Sequence, residues 1–145
     1  MTAKGSGTEP GKDILNVLIA DDDALSFEFL HDALSMENID AVWAADGQEA
    51  MNLMESRPFD ILLLDVHMPR LDGFNVLRNL RQGRTGRARE MKVIVISASA
   101  MPGERESMLN AGADAFVPKP VLLPELVKTI NDLVGPKAGA GRQDS

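Results

Sequence analysis

The chain has 145 residues, which suits one domain with modest tails, and its 15 basic against 22 acidic residues leave a net charge of −7 that disfavours general binding to nucleic acid or anionic lipid. Apolar residues at 44% exclude disorder of the whole chain, and the lack of cysteine excludes disulfides, thiolate metal sites and cysteine nucleophiles together. No apolar run reaches the ~18–20 residues needed to cross a bilayer, so no membrane partner is expected and the expected compartment is the cytoplasm.

Met1–Asp13 is rich in Gly, Lys, Thr and Ser, with no apolar signal core, and reads as a flexible tail. Gly135–Ser145 reads the same way, which leaves residues 14–134 as the folded domain. Within it, short β-branched-rich runs at Ile14–Ala20, Ile39–Ala44, Phe59–Leu64, Met91–Ile96 and Ala115–Val117 read as buried strands. Helical spacing fills the gaps. Phe27, Leu30 and Leu34 set the first helix; Ala50, Leu53 and Met54 the second; Phe74, Leu77 and Leu80 the third, with Asp72 as its cap. Met101–Leu109 is a shorter fourth segment, with Pro102 near its first turn and Gly112 as a stop. Leu123, Leu126, Val127 and Ile130 form the fifth, with Pro124 in its first turn. Five strands alternating with five helices predict an α/β three-layer sandwich around a parallel sheet.

Such sheets bind ligands beyond the carboxyl ends of their strands. The first strand is followed by Asp21, Asp22 and Asp23; the third ends in Asp65, the fourth in Ser97 and the fifth in Lys119–Pro120. Carboxylates brought together repel one another unless a cation neutralises them, and oxygen ligands without cysteine point to a hard divalent ion, best Mg2+. A lysine and a hydroxyl beside them suit phosphoryl oxygens, and an aspartate can itself attack phosphorus to form an acyl phosphate. Taken singly, Asp21–Asp23 also fits a solvated turn, Lys119 a surface lysine and Ser97 a helix cap.

The chain resembles the receiver domain of two-component response regulators over essentially all of residues 14–134. The segments that carry the likeness are Val17-Leu-Ile-Ala-Asp-Asp-Asp23, Asp60-Ile-Leu-Leu-Leu-Asp-Val-His-Met-Pro-Arg-Leu-Asp-Gly73, Val93-Ile-Val-Ile-Ser-Ala98 and Ala115-Phe-Val-Pro-Lys-Pro120. The resemblance implies a flavodoxin-like fold with strand order 2-1-3-4-5 and a cis Lys119–Pro120 bond. It makes Asp65 the phospho-acceptor and Asp21, Asp22, Asp65 and the backbone carbonyl of His67 the Mg2+ ligands. Lys119 becomes the phosphoryl-binding lysine, Ser97 the switch hydroxyl and Phe116 the switch aromatic. His67 and Ser99 flank the phosphoryl position and bear on its lifetime. Expected partners are a histidine kinase or histidine phosphotransfer protein and a downstream protein target. The expected state is a monomer or a weak phosphorylation-dependent dimer. Pro118, which removes a strand N–H, and the arginine-rich stretch 78–90 depart from the family pattern. No effector domain follows, so a stand-alone receiver is expected, with a piece excised from a hybrid kinase or larger regulator as the alternative.

Two other classes compete. A phosphatase with an aspartate nucleophile wants a second aspartate two residues on, where this chain has His67, and a cap insertion over the substrate. An FMN binder wants a hydroxyl- and glycine-rich first loop in place of Asp-Asp-Asp. His31 reads as a surface or half-buried structural residue, Trp43 as a semi-exposed strand residue, Met101 and Met108 as core filler, and the arginine run as a solvated face.

Overall fold

The computed structural model describes residues 14–66, 73–83, 91–98 and 102–134. In chain order these form β1 (Leu15–Ala20), α1 (Ala24–Ser35), β2 (Ile39–Ala44), α2 (Gly47–Ser56), β3 (Ile61–Asp65), α3 (Gly73–Arg81), β4 (Lys92–Ser97), α4 (Glu104–Asn110), β5 (Ala115–Pro118) and α5 (Leu123–Val134). The strands build one parallel sheet in the order β2-β1-β3-β4-β5. This is the expected sandwich and the expected strand order.

The apolar runs are continuous because the sheet is covered on both faces. Alternate residues of each strand go to opposite cores. Leu18, Leu62, Leu64, Val93 and Val95 pack with Met51 and Met54 of α2, Val76, Leu77 and Leu80 of α3 and Met108 of α4. Val17, Ile19, Ile61, Leu63 and Ile94 pack with Leu30 and Leu34 of α1 and Leu126 and Ile130 of α5. Helices α1 and α5 therefore cover one face and α2, α3 and α4 the other. Pro118 ends β5 on the edge of the sheet, where its missing N–H leaves no central ladder position open.

The expected runs shift by one or two residues at most ends: β1 starts at Leu15, β4 at Lys92, and β5 runs on to Pro118. β3 starts at Ile61 because the Asp60 carboxylate takes the Asn16 N–H (2.8 Å) before the ladder begins. β4 extends to include Ser97. α4 starts at Glu104, later than Met101, because its cap position is Gly103 in the left-handed region (φ 90°), so regular helical geometry begins only after it. The tails, Asp72 and Met101 lie outside the described residues.

Sheet register positions the chemistry. Ala20 pairs with Leu64, so Asp21 and Asp65, one residue on, stand side by side at the carboxyl edge. Asp65 pairs with Ile96, and Ser97 with Pro118, so Ser97 and Lys119 follow at the same level.

Candidate functional site

The three consecutive aspartates after β1 have three different environments. Asp21 is buried, and its Oδ1 accepts the Asp23 N–H at 2.9 Å. Asp22 is exposed. Asp23 caps α1: its carboxylate accepts from the Leu25 N–H (3.0 Å) and the Ser26 hydroxyl (3.0 Å). These bonds, the Ser26 hydroxyl foremost, hold the Asp23 carboxyl below the usual aspartate range. Asp21 behaves oppositely. Burial pushes its carboxyl up and the charge of Asp65 adds to that, against the pull of the Asp23 N–H and the Lys119 charge.

Asp21, Asp22 and Asp65 each bring a carboxylate oxygen within 4.8 Å of the others. Asp65 is buried at the end of β3, and Lys119 Nζ lies 3.3 Å from its Oδ2. Ser97 is fully buried, its hydroxyl donating to Glu104 Oε1 at 2.8 Å. The Lys119–Pro120 bond is cis. The first residue of α3 is tied to the end of β3, since the Gly73 N–H donates to the Val66 carbonyl at 3.2 Å. A Cβ on Gly73 would come within 2.6 Å of the Val66 Cα, so only glycine fits there.

A six-coordinate magnesium ion with oxygens at ~2.0–2.1 Å spaces neighbouring ligands ~3 Å and opposite ones ~4 Å apart. Oxygens of the three carboxylates lie within 4.8 Å of one another, on that scale, and Asp22 is exposed to water that would complete a shell. An all-oxygen donor set of this kind fits a hard divalent cation.

The chain matches the model of the response regulator receiver domain over residues 17–131. It belongs to the response regulator receiver family. Among relatives of this receiver, the response regulator MprA of Mycolicibacterium vanbaalenii is 39% identical over 130 residues, covering 88% of this chain and 54% of its own length. MprA of Mycobacterium tuberculosis is 38% identical over 120 residues, 83% of this chain and 50% of its own. The chain thus spans about half the length of the curated relatives it matches. Among solved structures, the receiver domain of the Francisella response regulator 1452 superposes with a TM-score of 0.77 at 32% identity, covering 83% of this chain and 96% of that one. The receiver domain of the sensor histidine kinase PA1611 from Pseudomonas aeruginosa, solved with a magnesium ion coordinated in its active-site cleft, gives 0.76 at 26% identity, covering 85% and 99%.

In this receiver the fold brings Asp21, Asp22, Asp65 and Lys119 together, with Ser97 at the adjacent strand end. Phe116 is half-buried on β5 and packs against the core beneath α2, α3 and α4. His67 and Ser99 lie outside the described residues. Two residues take part that the sequence did not mark for the site. The Trp43 indole donates to the Asp21 carbonyl at 2.7 Å and stacks on Phe27 of α1 (5.7 Å, 18°), bracing the acidic loop from β2. Glu104 holds the Ser97 hydroxyl. Neither contact follows a local motif; the signal available for Trp43 was its position at the end of a strand beside β1. His31 is half-buried, its ring against Phe27 and its Nδ1 3.2 Å from Asp32 Oδ1.

Proposed function

We propose that this receiver accepts a phosphoryl group on Asp65 from a phosphohistidine of a kinase or phosphotransfer protein, with Mg2+ bound by Asp21, Asp22, Asp65 and the His67 carbonyl. The observation that carries this reading is one buried aspartate flanked by two further carboxylates and by the Lys119 ammonium at 3.3 Å. An Asp65 carboxylate oxygen attacks phosphorus in line; the P–O bond forms as the P–N bond to the donor imidazole breaks, and that electron pair leaves with the imidazole. Magnesium, when bound, supplies neutralisation of the phosphoryl and carboxylate charges. Lys119 binds a phosphoryl oxygen from the β5 side, and Ser97 supplies its hydroxyl to another. Water later hydrolyses the acyl phosphate, which resets the domain.

The approach of a donor is supported by the surface around the site. A cavity of about 490 Å³ between α1 and the β5–α5 loop is lined by Asp21, Leu25, Phe29, Ile96, Lys119 and Pro120. Leu25 and Phe29 of that lining are exposed large apolar residues, as is Leu122, next in the chain to Val121 of the lining, a surface suited to a protein helix rather than to nucleic acid. Output runs through protein contacts: the Ser97 hydroxyl moves toward the phosphoryl group and Phe116 turns into the space this opens, altering the α4–β5–α5 surface. No helix among the described residues is long and apolar enough to cross a membrane; we place the signalling in the cytoplasm. The test is labelling with acetyl phosphate followed by mass spectrometry. Wild type gains one phosphoryl group when Mg2+ is present, and Asp65→Asn or chelation abolishes it. Full labelling of Asp65→Asn overturns the assignment.

A further inference from the structure

The Ser97 hydroxyl has one proton to donate, and here it goes to a carboxylate, Glu104 Oε1, at 2.8 Å. A hydrogen bond to a charged acceptor is roughly twice as strong as a neutral one. The bond spans the loop between β4 and α4, joining the last residue of the strand to the first of the helix. The cap residue of α4, Gly103, contributes no side-chain hydrogen bond, and the Ser97–Glu104 bond ties this helix start to the sheet edge. Behind it, Met108 of α4 is buried in the same core against which Phe116 packs.

We infer that Glu104 is a positioning residue that withholds the Ser97 hydroxyl from Asp65 until a phosphoryl group competes for it. The inference rests on the reading of Ser97 as a phosphoryl-binding hydroxyl. Two anionic acceptors, the Glu104 carboxylate and the phosphoryl oxygens, contend for one proton, and the hydroxyl serves only one at a time. Glu104 therefore sets the threshold for the phosphorylated conformation. When the hydroxyl leaves, the first turn of α4 loses its tie to β4, on the face that carries Phe116.

An acidic residue in a first turn also stabilises its helix through the dipole, and Glu106 lies exposed in the same turn of α4. The experiment separates the two roles. Beryllofluoride with Mg2+, a mimic of the acyl phosphate, is titrated into the whole chain and followed by amide NMR. Glu104→Ala is expected to bind it about tenfold more tightly, the loss of one charge-assisted hydrogen bond that the apo state no longer holds. Glu104→Gln keeps a neutral acceptor and is expected to bind about threefold more tightly; it also serves if the alanine variant fails to fold. Glu106→Ala is expected to match wild type. In a Ser97→Ala background, Glu104→Ala and Glu104→Gln are expected to have no effect. Unchanged or weaker binding by both Glu104 variants, or an equal gain without the Ser97 hydroxyl, overturns the latch. Those results leave Ser97 standing if Ser97→Ala itself weakens binding. Unchanged binding by Ser97→Ala overturns the reading of Ser97, and the latch with it.

Discussion

The Arg81 guanidinium ends α3 in a knot at the sheet edge opposite the acidic site. Its Nε and Nη2 donate to the Gly112 carbonyl at 3.0 and 2.7 Å, Nη1 to the Met91 carbonyl at 2.7 Å, and Nη2 to Asp114 Oδ2 at 2.9 Å. Asp114 Oδ2 in turn accepts the Val93 N–H at 2.8 Å, so one side chain joins α3, the start of β4 and the turn before β5. Arg81→Met keeps the apolar stem and removes every donor. A hydrogen bond involving a charged group nets ~1.5–3 kcal/mol when dry. The side chains of Arg81 and Asp114 are 24% and 27% exposed, so water replaces part of each bond and brings it below that range. At about 1 kcal/mol for each of the three acceptors the variant should lose ~3 kcal/mol. For a domain of this size that is a fall in Tm of about 10 °C. Arg81→Lys keeps the charge but not the fork and should lose about 2 kcal/mol. Urea unfolding with an unchanged m-value gives the number directly. A loss below about 1 kcal/mol for the methionine variant, or wild-type stability for the lysine variant, refutes the knot as a stabilising element. Labelling of Asp65 well below Tm should be unaffected.

Asp21→Asn addresses the raised carboxyl. Its folded-state value lies above the ordinary aspartate value of 3.8, so the folded chain holds this proton more tightly than the unfolded one, and stability falls as pH rises through the raised value. The metal-free asparagine variant should therefore be more stable than wild type at neutral pH, with the gap closing below pH 3.8, while Mg2+ no longer raises its Tm; denaturation across pH checks both. Trp43→Phe keeps the stack on Phe27 and removes the N–H donated to the Asp21 carbonyl. Mg2+ affinity, followed by calorimetry, should fall about fivefold for a bond of ~1 kcal/mol. Gly73→Ala forces a methyl against the Val66 backbone and should cost ~1–3 kcal/mol in urea unfolding, together with slower labelling of Asp65.

The strands were legible because a sheet buried on both faces leaves unbroken apolar runs, and the strand ends announced Asp65, Ser97 and Lys119 because one parallel register levels them. The aspartate triplet was legible as a cluster but not as individuals. Which of Asp21, Asp22 and Asp23 is buried depends on where β1 stops and α1 starts, and the Asp23 bonds to Leu25 and Ser26 decide it. Arg81 was hidden in an arginine-rich stretch that reads as a solvated face, because its acceptors lie 10 to 33 residues away and two are backbone carbonyls. Glu104 was hidden because its partner lies across a loop whose course composition does not set. Trp43 was read by its ring alone, while its polar edge makes the contact that reaches the site.

The level strand ends also order events in time. Asp21, Asp22 and Asp65 are in place once β1 and β3 have paired, but Lys119 follows β5, the last strand of the sheet to leave the ribosome. The carboxylates thus come from β1 and β3, while the ammonium and the hydroxyl come from β5 and β4, which follow in the chain. Completion of the sheet is therefore a precondition for the full constellation, because the counter-charge of the acidic cluster stands beyond the last of the five strands.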